Sequence, residues 1–227
     1  MIKHHPTPAW ITFGGLVLAT TAGTINAVGF LGQHHQALSH LTGTVTVLGL
    51  ELARGDYAVA LHALAIFGAF FTGCLASGAI IRQSSLRLGR RYGVALSLES
   101  ALLLAAVYFL RQGANTGDYL AAMACGLQNA MVTTYSGSTM RTTHITGMVT
   151  DIGIACGHFL RGETIDWFRF RMYGVLLLGY FGGTLLGAHG YMNLGYDTLL
   201  LPAFLSGVTG LGYTIYKHRQ KAVRPAD

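Results

Sequence analysis

Long apolar stretches separated by short polar ones make up most of the chain. At about 1.5 Å per helical residue, each long stretch has roughly the length that crosses 30 Å of hydrocarbon. Two further apolar pieces, residues 41–54 and 145–160, are shorter. The pattern predicts an all-α integral membrane protein with short helices between the long ones. The predicted spanning helices are residues 10–31, 57–81, 92–110, 119–134, 172–189 and 198–216.

The chain also repeats itself at a spacing of about one hundred residues. GTINA at 23–27 matches GLQNA at 126–130, and HLTGTVT at 40–46 matches HITGMVT at 144–150. Each half therefore has one segment rich in amides, hydroxyls and glycine within apolar surroundings. We interpret residues 1–113 and 114–227 as two membrane repeats that form one integrated transmembrane domain.

The distribution of Lys and Arg distinguishes two topologies, because basic residues concentrate in cytoplasmic loops. If all eight apolar pieces cross, the count is 10 basic residues inside against 5 outside. If the two short pieces re-enter, six crossings remain and the count becomes 13 against 2. We favour the second arrangement, with both termini cytoplasmic. A crossing by residues 145–160, about 24 Å as helix, stays open if the bilayer is locally thin.

Three crossings per half is an odd number, so the two repeats are predicted to lie in opposite orientations. Each inverted repeat would contain about three spanning helices and one short re-entrant or broken helix. Inverted repeats are common in secondary transporters, where broken helices from both halves meet near the midplane and form the substrate site.

Composition supports a membrane location and argues against several other classes. Charged residues are 11% of the chain, against roughly 25% in soluble domains. The net charge of +6 comes from basic residues at the edges of apolar runs, so we expect no nucleic-acid partner. The chain lacks the G-x-S-x-G, H-E-x-x-H and Walker A motifs, and we expect neither an enzyme nor a cofactor. His34 and His35 are adjacent without further ligands at a suitable spacing, so no metal site is predicted.

The GLQNA…RTTHITGMVTDIG segment, with the earlier GTINA and LTGT segments, resembles the YoaK-like bacterial inner-membrane proteins, a domain family of unknown function. The resemblance covers nearly the whole chain and is strongest over residues 126–153. It implies a multi-pass protein of the bacterial inner membrane and a transporter. The chain has Asn26 and Thr44 where the family pattern favours Asp and Asn.

The polar residues of the two repeated segments are the candidate substrate ligands. Helix N-termini expose amides with partial positive charge, so two such ends meeting from opposite sides would suit an anion. Capping and close packing of short helices would explain the same Thr and Gly residues. The amides need partners at membrane depth, which interhelical hydrogen bonds could also supply. The candidates are Asn26, Thr42, Gly43, Thr44, Gln128, Asn129, Thr146 and Gly147.

Asp151 is the acid that we predict to carry a proton or coupling cation. It directly follows the second polar segment and has no basic residue at helical spacing, and an intramembrane ionisable group is a functional candidate. Glu51 is explained by Arg54 three residues later, and Glu99 by a buried hydrogen bond. His40, His144 and Arg141 are candidate gating residues, although capping and the basic-residue asymmetry explain them equally well.

Gly179, Gly183 and Gly187 recur at intervals of four, which is typical of close helix packing in membranes. Their face would join helices within one chain or allow a homo-oligomer. The function we predict is secondary transport or facilitated passage of a small polar solute, anionic by preference, with membrane lipids as the surroundings. The alternatives are a membrane enzyme acting on a lipid or isoprenoid head, and a non-transporting membrane scaffold.

Overall fold

The computed structural model describes residues 9–81, 90–135 and 141–223. Arg82 and Arg87, which belong to the basic-residue count, and residues 136–140 lie outside the described residues. The described parts contain helices and no strands. The helices are α1 (Ala9–Leu31), α2 (Leu41–Arg54), α3 (Tyr57–Ile80), α4 (Arg90–Arg111), α5 (Thr116–Tyr135), α6 (Ile145–Leu160), α7 (Trp167–Leu194) and α8 (Leu200–Val223), with a 3₁₀ helix, Gly195–Leu199, before α8.

Four segments are long and apolar enough to cross a membrane. They are Thr12–Leu31, Tyr57–Ile80, Arg91–Arg111 and Trp167–Tyr216, the last of which includes both α7 and α8. Large apolar side chains such as Phe13, Leu178 and Phe204 lie on the outer surface, each more than 60% exposed. An apolar surface of this extent is unusual for a soluble monomer and is typical of contact with lipid. The chain is therefore a helical membrane protein.

The predicted helices are largely present, with three differences. α7 begins at Trp167, before the predicted start at residue 172, because Asp166 caps it by accepting from the Phe168 and Arg169 backbone N–H groups. It also continues to Leu194, where a turn was predicted, and the chain reverses only at Gly195, whose φ is +58°. α5 is not among the four apolar segments, since its amides, hydroxyls and Asp118 lower its hydropathy.

Close pairing of helices organises the core. α1 packs along α7, α3 along α5, and α4 along both α5 and α8. At the α1–α7 contact, a Cβ on Gly23 would clash with the Tyr180 carbonyl, and one on Gly183 with the Thr20 carbonyl. At the α3–α5 contact, Gly126 meets the Phe70 carbonyl and Gly73 the Met123 carbonyl in the same way. Two glycine contacts of the same kind thus bring each helix pair together.

The glycine face of α7 is used within the chain. Gly179, Gly183 and Gly187 are all buried, and Cβ atoms there would meet the carbonyls of Leu16, Thr20 and Thr24 on α1. An association between copies of the chain would therefore need another surface.

The contacts also show which helix ends lie together. Arg111 at the end of α4 pairs with Asp197 beyond the end of α7, and the Gln33 backbone N–H, just after α1, donates to the Tyr196 hydroxyl. His34 contacts Asp118 at the start of α5, and its ring lies 4.2 Å from that of His62 near the start of α3. We call this side of the bundle the Arg111 end. α1, α4 and α7 finish there, and α3, α5 and α8 begin there.

α2 does not connect opposite ends of the bundle. The chain leaves the Arg111 end at His34 and reaches His40 beside Tyr180, the middle of α7. It then returns through α2 to Arg54, and α3 begins three residues later at the same end. The 14 residues of α2 rise about 21 Å, which equals the rise of α7 from Tyr180 to Leu194. α2 therefore runs from beside the middle of α7 back to the Arg111 end.

Candidate functional site

Asn26 on α1 is the centre of a buried hydrogen-bond network that reaches α7. Its side-chain Nδ2 donates to the Tyr180 hydroxyl, and its Oδ1 accepts from the backbone N–H and the hydroxyl of Ser39, both at 3.1 Å. The Tyr180 hydroxyl lies 2.9 Å from His40 Nε2. Asn26, Ser39, His40 and Tyr180 form what we call the Asn26 network. It holds the start of α2 at mid-depth and supplies the partners that a buried amide requires.

The hydrogen-bonding capacities of these groups limit the protonation states of the network. The Asn26 Nδ2 can only donate, so the Tyr180 oxygen accepts from it and has its own proton free to donate. If that proton goes to His40 Nε2, the imidazole is neutral and its Nε2 is unprotonated. Burial lowers the pKa of His40 below its usual value, which favours the same neutral form. Protonation of His40 would replace the acceptor at Nε2 with a donor and disrupt the network.

The start of α2 contains both buried and exposed polar groups. Thr44 is buried, and its hydroxyl donates to the His40 carbonyl at 3.2 Å. Thr42 and Gly43 lie on the exposed face of the same turn, and a Cβ at Gly43 would meet nothing within 4 Å. Of the candidates in the first half, Asn26 and Thr44 are therefore held by protein groups, whereas Thr42 and Gly43 face outward.

Gln128 and Asn129 on α5 are the polar groups of the second repeated segment. Gln128 is fully buried, and its Nε2 donates to the Leu18 carbonyl on α1 at 3.1 Å. Its Oε1 and the Oδ1 of the half-buried Asn129 have no hydrogen-bond partner among the described residues. The Gln128 bond ties the two halves together.

The start of α6 is more open than the start of α2. His144, Arg141 and Thr146 are exposed, with Arg141 Nη1 3.3 Å from His144 Nδ1. The His144 ring lies over Gly147, where a Cβ would approach it to 2.7 Å. Gly23 contacts the Tyr180 carbonyl on α7, and its repeat equivalent Gly126 contacts the Phe70 carbonyl on α3. Phe70 is therefore the counterpart of Tyr180. Phenylalanine has no hydroxyl, so the second half lacks the Tyr180 bond that fixes His40 in the first.

Asp151 lies away from the Asn26 network. It is exposed on α6 and lines a cleft of about 320 Å³ between α6 and α7, together with His158, Asp166 and Arg169. The Tyr173 hydroxyl, on the wall of the same cleft, interacts with the Asp151 carboxylate. The predicted residues thus fall into three places: the Asn26 network with the adjoining first turn of α2, the α5 amides, and the α6–α7 region.

Glu99, which the sequence analysis set aside, is the most deeply buried acid of the described residues. It lies near the middle of α4 and has no exposed surface. Ser206 on α8 and Cys125 on α5 are near enough to influence it, but neither carboxyl oxygen has a hydrogen bond of normal geometry among the described residues. Burial favours the neutral acid. The buried hydrogen bond that the sequence predicted for Glu99 stays a prediction, with Ser206 as its candidate partner.

Comparison with known proteins identifies one family. A family described as "Protein of unknown function (DUF1275)" matches residues 14–212, which include both halves of the chain. The YoaK-like resemblance of residues 126–153 fits this family. No curated protein and no solved structure shows a significant match.

Proposed function

The chain belongs to the DUF1275 family, and we propose that it is a secondary transporter or facilitator for a small polar solute in the bacterial inner membrane. The solute would bind between the two halves, near the middle of the bundle. The observation that carries the proposal is the Asn26 network, which holds the start of a short helix at mid-depth. Irregular backbone at such a depth is tolerated only when it is buried in protein or lines a wet cavity.

The pairing of helix ends supports six crossings. That topology places on the outer side the last residues of α1, α4 and α7 and the first residues of α3, α5 and α8. These are the same helix ends that meet at the Arg111 end. With eight crossings, Arg111 and Asp197 would lie on opposite sides of the membrane, yet they form an ion pair. The basic-residue count then assigns the Arg111 end to the outer side and both termini to the cytoplasm.

The glycine contacts support an inverted duplication, and we propose that its two halves are residues 1–113 and 114–227. Gly23 and Gly126 are equivalent in the repeat. Gly23, in the first half, packs on α7 of the second half, and Gly126, in the second half, packs on α3 of the first half. α1 and α7 run in the same direction, because Gly179, Gly183 and Gly187 meet Leu16, Thr20 and Thr24 in turn. α3 and α5 also run in the same direction, because His62 contacts Tyr119 and, further along both helices, Cys74 contacts Gly126. α2 and α6 would then be the re-entrant helices of the two halves.

We further propose that the solute is anionic. Arg141 and the first turn of α6 supply positive charge at the exposed start of the second short helix, and the equivalent turn of α2 lies exposed at Thr42 and Gly43. Gln128 Oε1 and Asn129 Oδ1 are acceptors, and they would contact donor groups of the solute.

Flux into proteoliposomes tests the proposal. The purified chain would be reconstituted and tested with panels of small anions, cations and neutral polar solutes. We expect uptake of at least one anion, reduced about 10-fold or more by Tyr180→Phe, which removes the hydroxyl that joins Asn26 to His40. The matched control is Tyr108→Phe, because Tyr108 is 60% exposed on the outer surface of α4. A folded chain that transports no solute of any panel would refute the proposal.

One observation favours the alternative of a membrane enzyme acting on a lipid or isoprenoid head. Asp151 shares its cleft with a second acid, Asp166, and paired acids are a common basis of acid–base catalysis. The test is release of the head group from phospholipids or an isoprenyl phosphate by the purified chain, compared with Asp151→Asn. Release that disappears in the variant, without solute flux in the wild type, would favour the enzyme.

A further inference from the structure

Three side chains from separate segments meet at the Arg111 end. His34 follows α1, His62 lies in the second turn of α3, and Asp118 lies in the first turn of α5. One nitrogen or oxygen atom of each lies within 4.8 Å of the other two. We call them the His34–His62–Asp118 cluster. The sequence gives no sign of it, since 28 residues separate His34 from His62 and a further 56 separate His62 from Asp118.

The distances in the cluster suit a small tetrahedral cation. His34 Nδ1 lies 2.8 Å from Asp118 Oδ2, and His62 Nε2 lies 3.6 Å from the same oxygen. Ligands at 2.0–2.1 Å from a tetrahedral zinc ion are about 3.3 Å apart, and the two observed distances fall on either side of that value. Small side-chain rotations would therefore place all three atoms around one ion.

His62 supplies an independent indication of a ligand. It is 6% exposed, and its buried Nε2 has no hydrogen-bond partner in the described part of the chain. Its other nitrogen, Nδ1, lies 3.0 Å from the Tyr119 hydroxyl. If Nδ1–H donates to this hydroxyl, the lone pair of Nε2 points toward Asp118 and His34. Metal-binding histidines are usually oriented by a hydrogen bond of this kind from their second nitrogen.

We propose that His34, His62 and Asp118 bind one divalent transition-metal ion, with water as the fourth ligand. Two imidazoles and one carboxylate suit Zn²⁺ better than Mg²⁺ or Ca²⁺, which prefer oxygen ligands. His34 is the most exposed ligand, at 27% of its side chain, and provides the path of entry. The ion would join the end of α1 to the starts of α3 and α5. This inference is separate from transport and does not depend on it.

Metal binding by the purified full-length chain in detergent tests the proposal. After treatment with a chelator, we expect the wild type to take up about one Zn²⁺ per chain and to show the visible absorption of tetrahedral Co²⁺ when Co²⁺ is added instead. Asp118→Asn and His62→Ala should each lower Zn²⁺ affinity 100-fold or more. Tyr119→Phe, which removes only the hydroxyl beside His62 Nδ1, should lower it about 10- to 100-fold.

The control is His35→Asn. His35 is adjacent to His34 in sequence, but its ring contacts the Phe30 carbonyl instead of the cluster, and asparagine tolerates its φ of +49°. Its Zn²⁺ affinity should equal that of the wild type. Failure of the wild type to bind Zn²⁺ would refute the site and would mean that His34 and Asp118 form only a hydrogen-bonded pair. Equal losses of Zn²⁺ affinity in His35→Asn and Asp118→Asn would mean that the ion binds elsewhere. Thermal unfolding without metal identifies a variant that fails to fold. If His62→Ala fails to fold, the Zn²⁺ affinity of Asp118→Asn decides the test, because asparagine keeps the shape of the side chain.

Discussion

The Arg111 guanidinium donates to both carboxylate oxygens of Asp197, with Nε–Oδ1 and Nη2–Oδ2 distances of 2.6 Å. Both side chains are well exposed, so solvent screens the pair and its contribution to stability is small. Its value is topological, because it fixes the end of α4 beside the reversal between α7 and α8. That placement supports the proposed topology, in which α2 and α6 do not cross the membrane.

Thiol labelling in intact cells tests this topology. In a background in which the three native cysteines are replaced, we expect Arg54→Cys and Asn115→Cys to react with a membrane-impermeant reagent added outside. Glu163→Cys, in the loop between α6 and α7, should react only after permeabilisation. Arg54 is the decisive position, because α2 returns to the outer side only if it is re-entrant. Labelling of position 54 from the inside would contradict the six-crossing arrangement.

The buried glycines should tolerate no added methyl group. Gly183→Ala places a Cβ against the Thr20 carbonyl, and Gly126→Ala places one against the Phe70 carbonyl, so each helix pair must separate. We expect a loss of about 1–3 kcal/mol in the free energy of unfolding, the usual effect of overpacking, measured by denaturant unfolding in detergent. The matched control is Gly182→Ala, where a Cβ would meet nothing within 4 Å. Since alanine favours helix over glycine, that variant should be as stable as the wild type or more so.

The network around His40 should make stability depend on pH. Burial lowers the pKa of His40 in the folded chain, so the unfolded chain binds the proton first as the pH falls. The stability that the neutral imidazole provides is complete above about pH 6.5, its unfolded pKa, and is lost progressively below that value. We expect the melting temperature to fall between pH 7.5 and 5.5, and to fall less in His40→Gln. The comparison variant is His158→Gln, an exposed histidine on α6, which should behave like the wild type.

The sequence predicted the helices well because apolar length and basic-residue placement are local signals. The bounds of α2 and α6 agree with the predicted short pieces, and the spacing of Gly179, Gly183 and Gly187 predicted their close helix contacts. Tyr180 was missed because nothing distinguishes it from the other tyrosines of the chain until α7 lies against α1. Asp118, His34 and His62 were missed for the same reason, since only the tertiary fold brings them together.

Asp151 and Glu99 illustrate a different limit. Sequence position favoured Asp151, which follows a repeated polar motif, whereas burial favours Glu99, which lies in an apolar stretch without any motif. Depth in the bundle depends on which face of a helix is turned inward. A single acid in an otherwise apolar helix gives no periodicity from which that face can be read.

The final prediction decides between these two acids as the proton carrier of a coupled transporter. Glu99 is fully buried near the middle of α4, where uptake and release of a proton would change the charge of the bundle interior. Asp151 is exposed on α6 and interacts with the Tyr173 hydroxyl, outside the bundle interior. We therefore expect Glu99→Gln to abolish the pH dependence of solute uptake in proteoliposomes while leaving counterflow exchange at equal pH within about 3-fold. Asp151→Asn should retain the pH dependence, as should Glu51→Gln, in which only the surface pair with Arg54 is lost. If Asp151→Asn alone removes the pH dependence, the α6–α7 cleft and not the interior of α4 carries the proton.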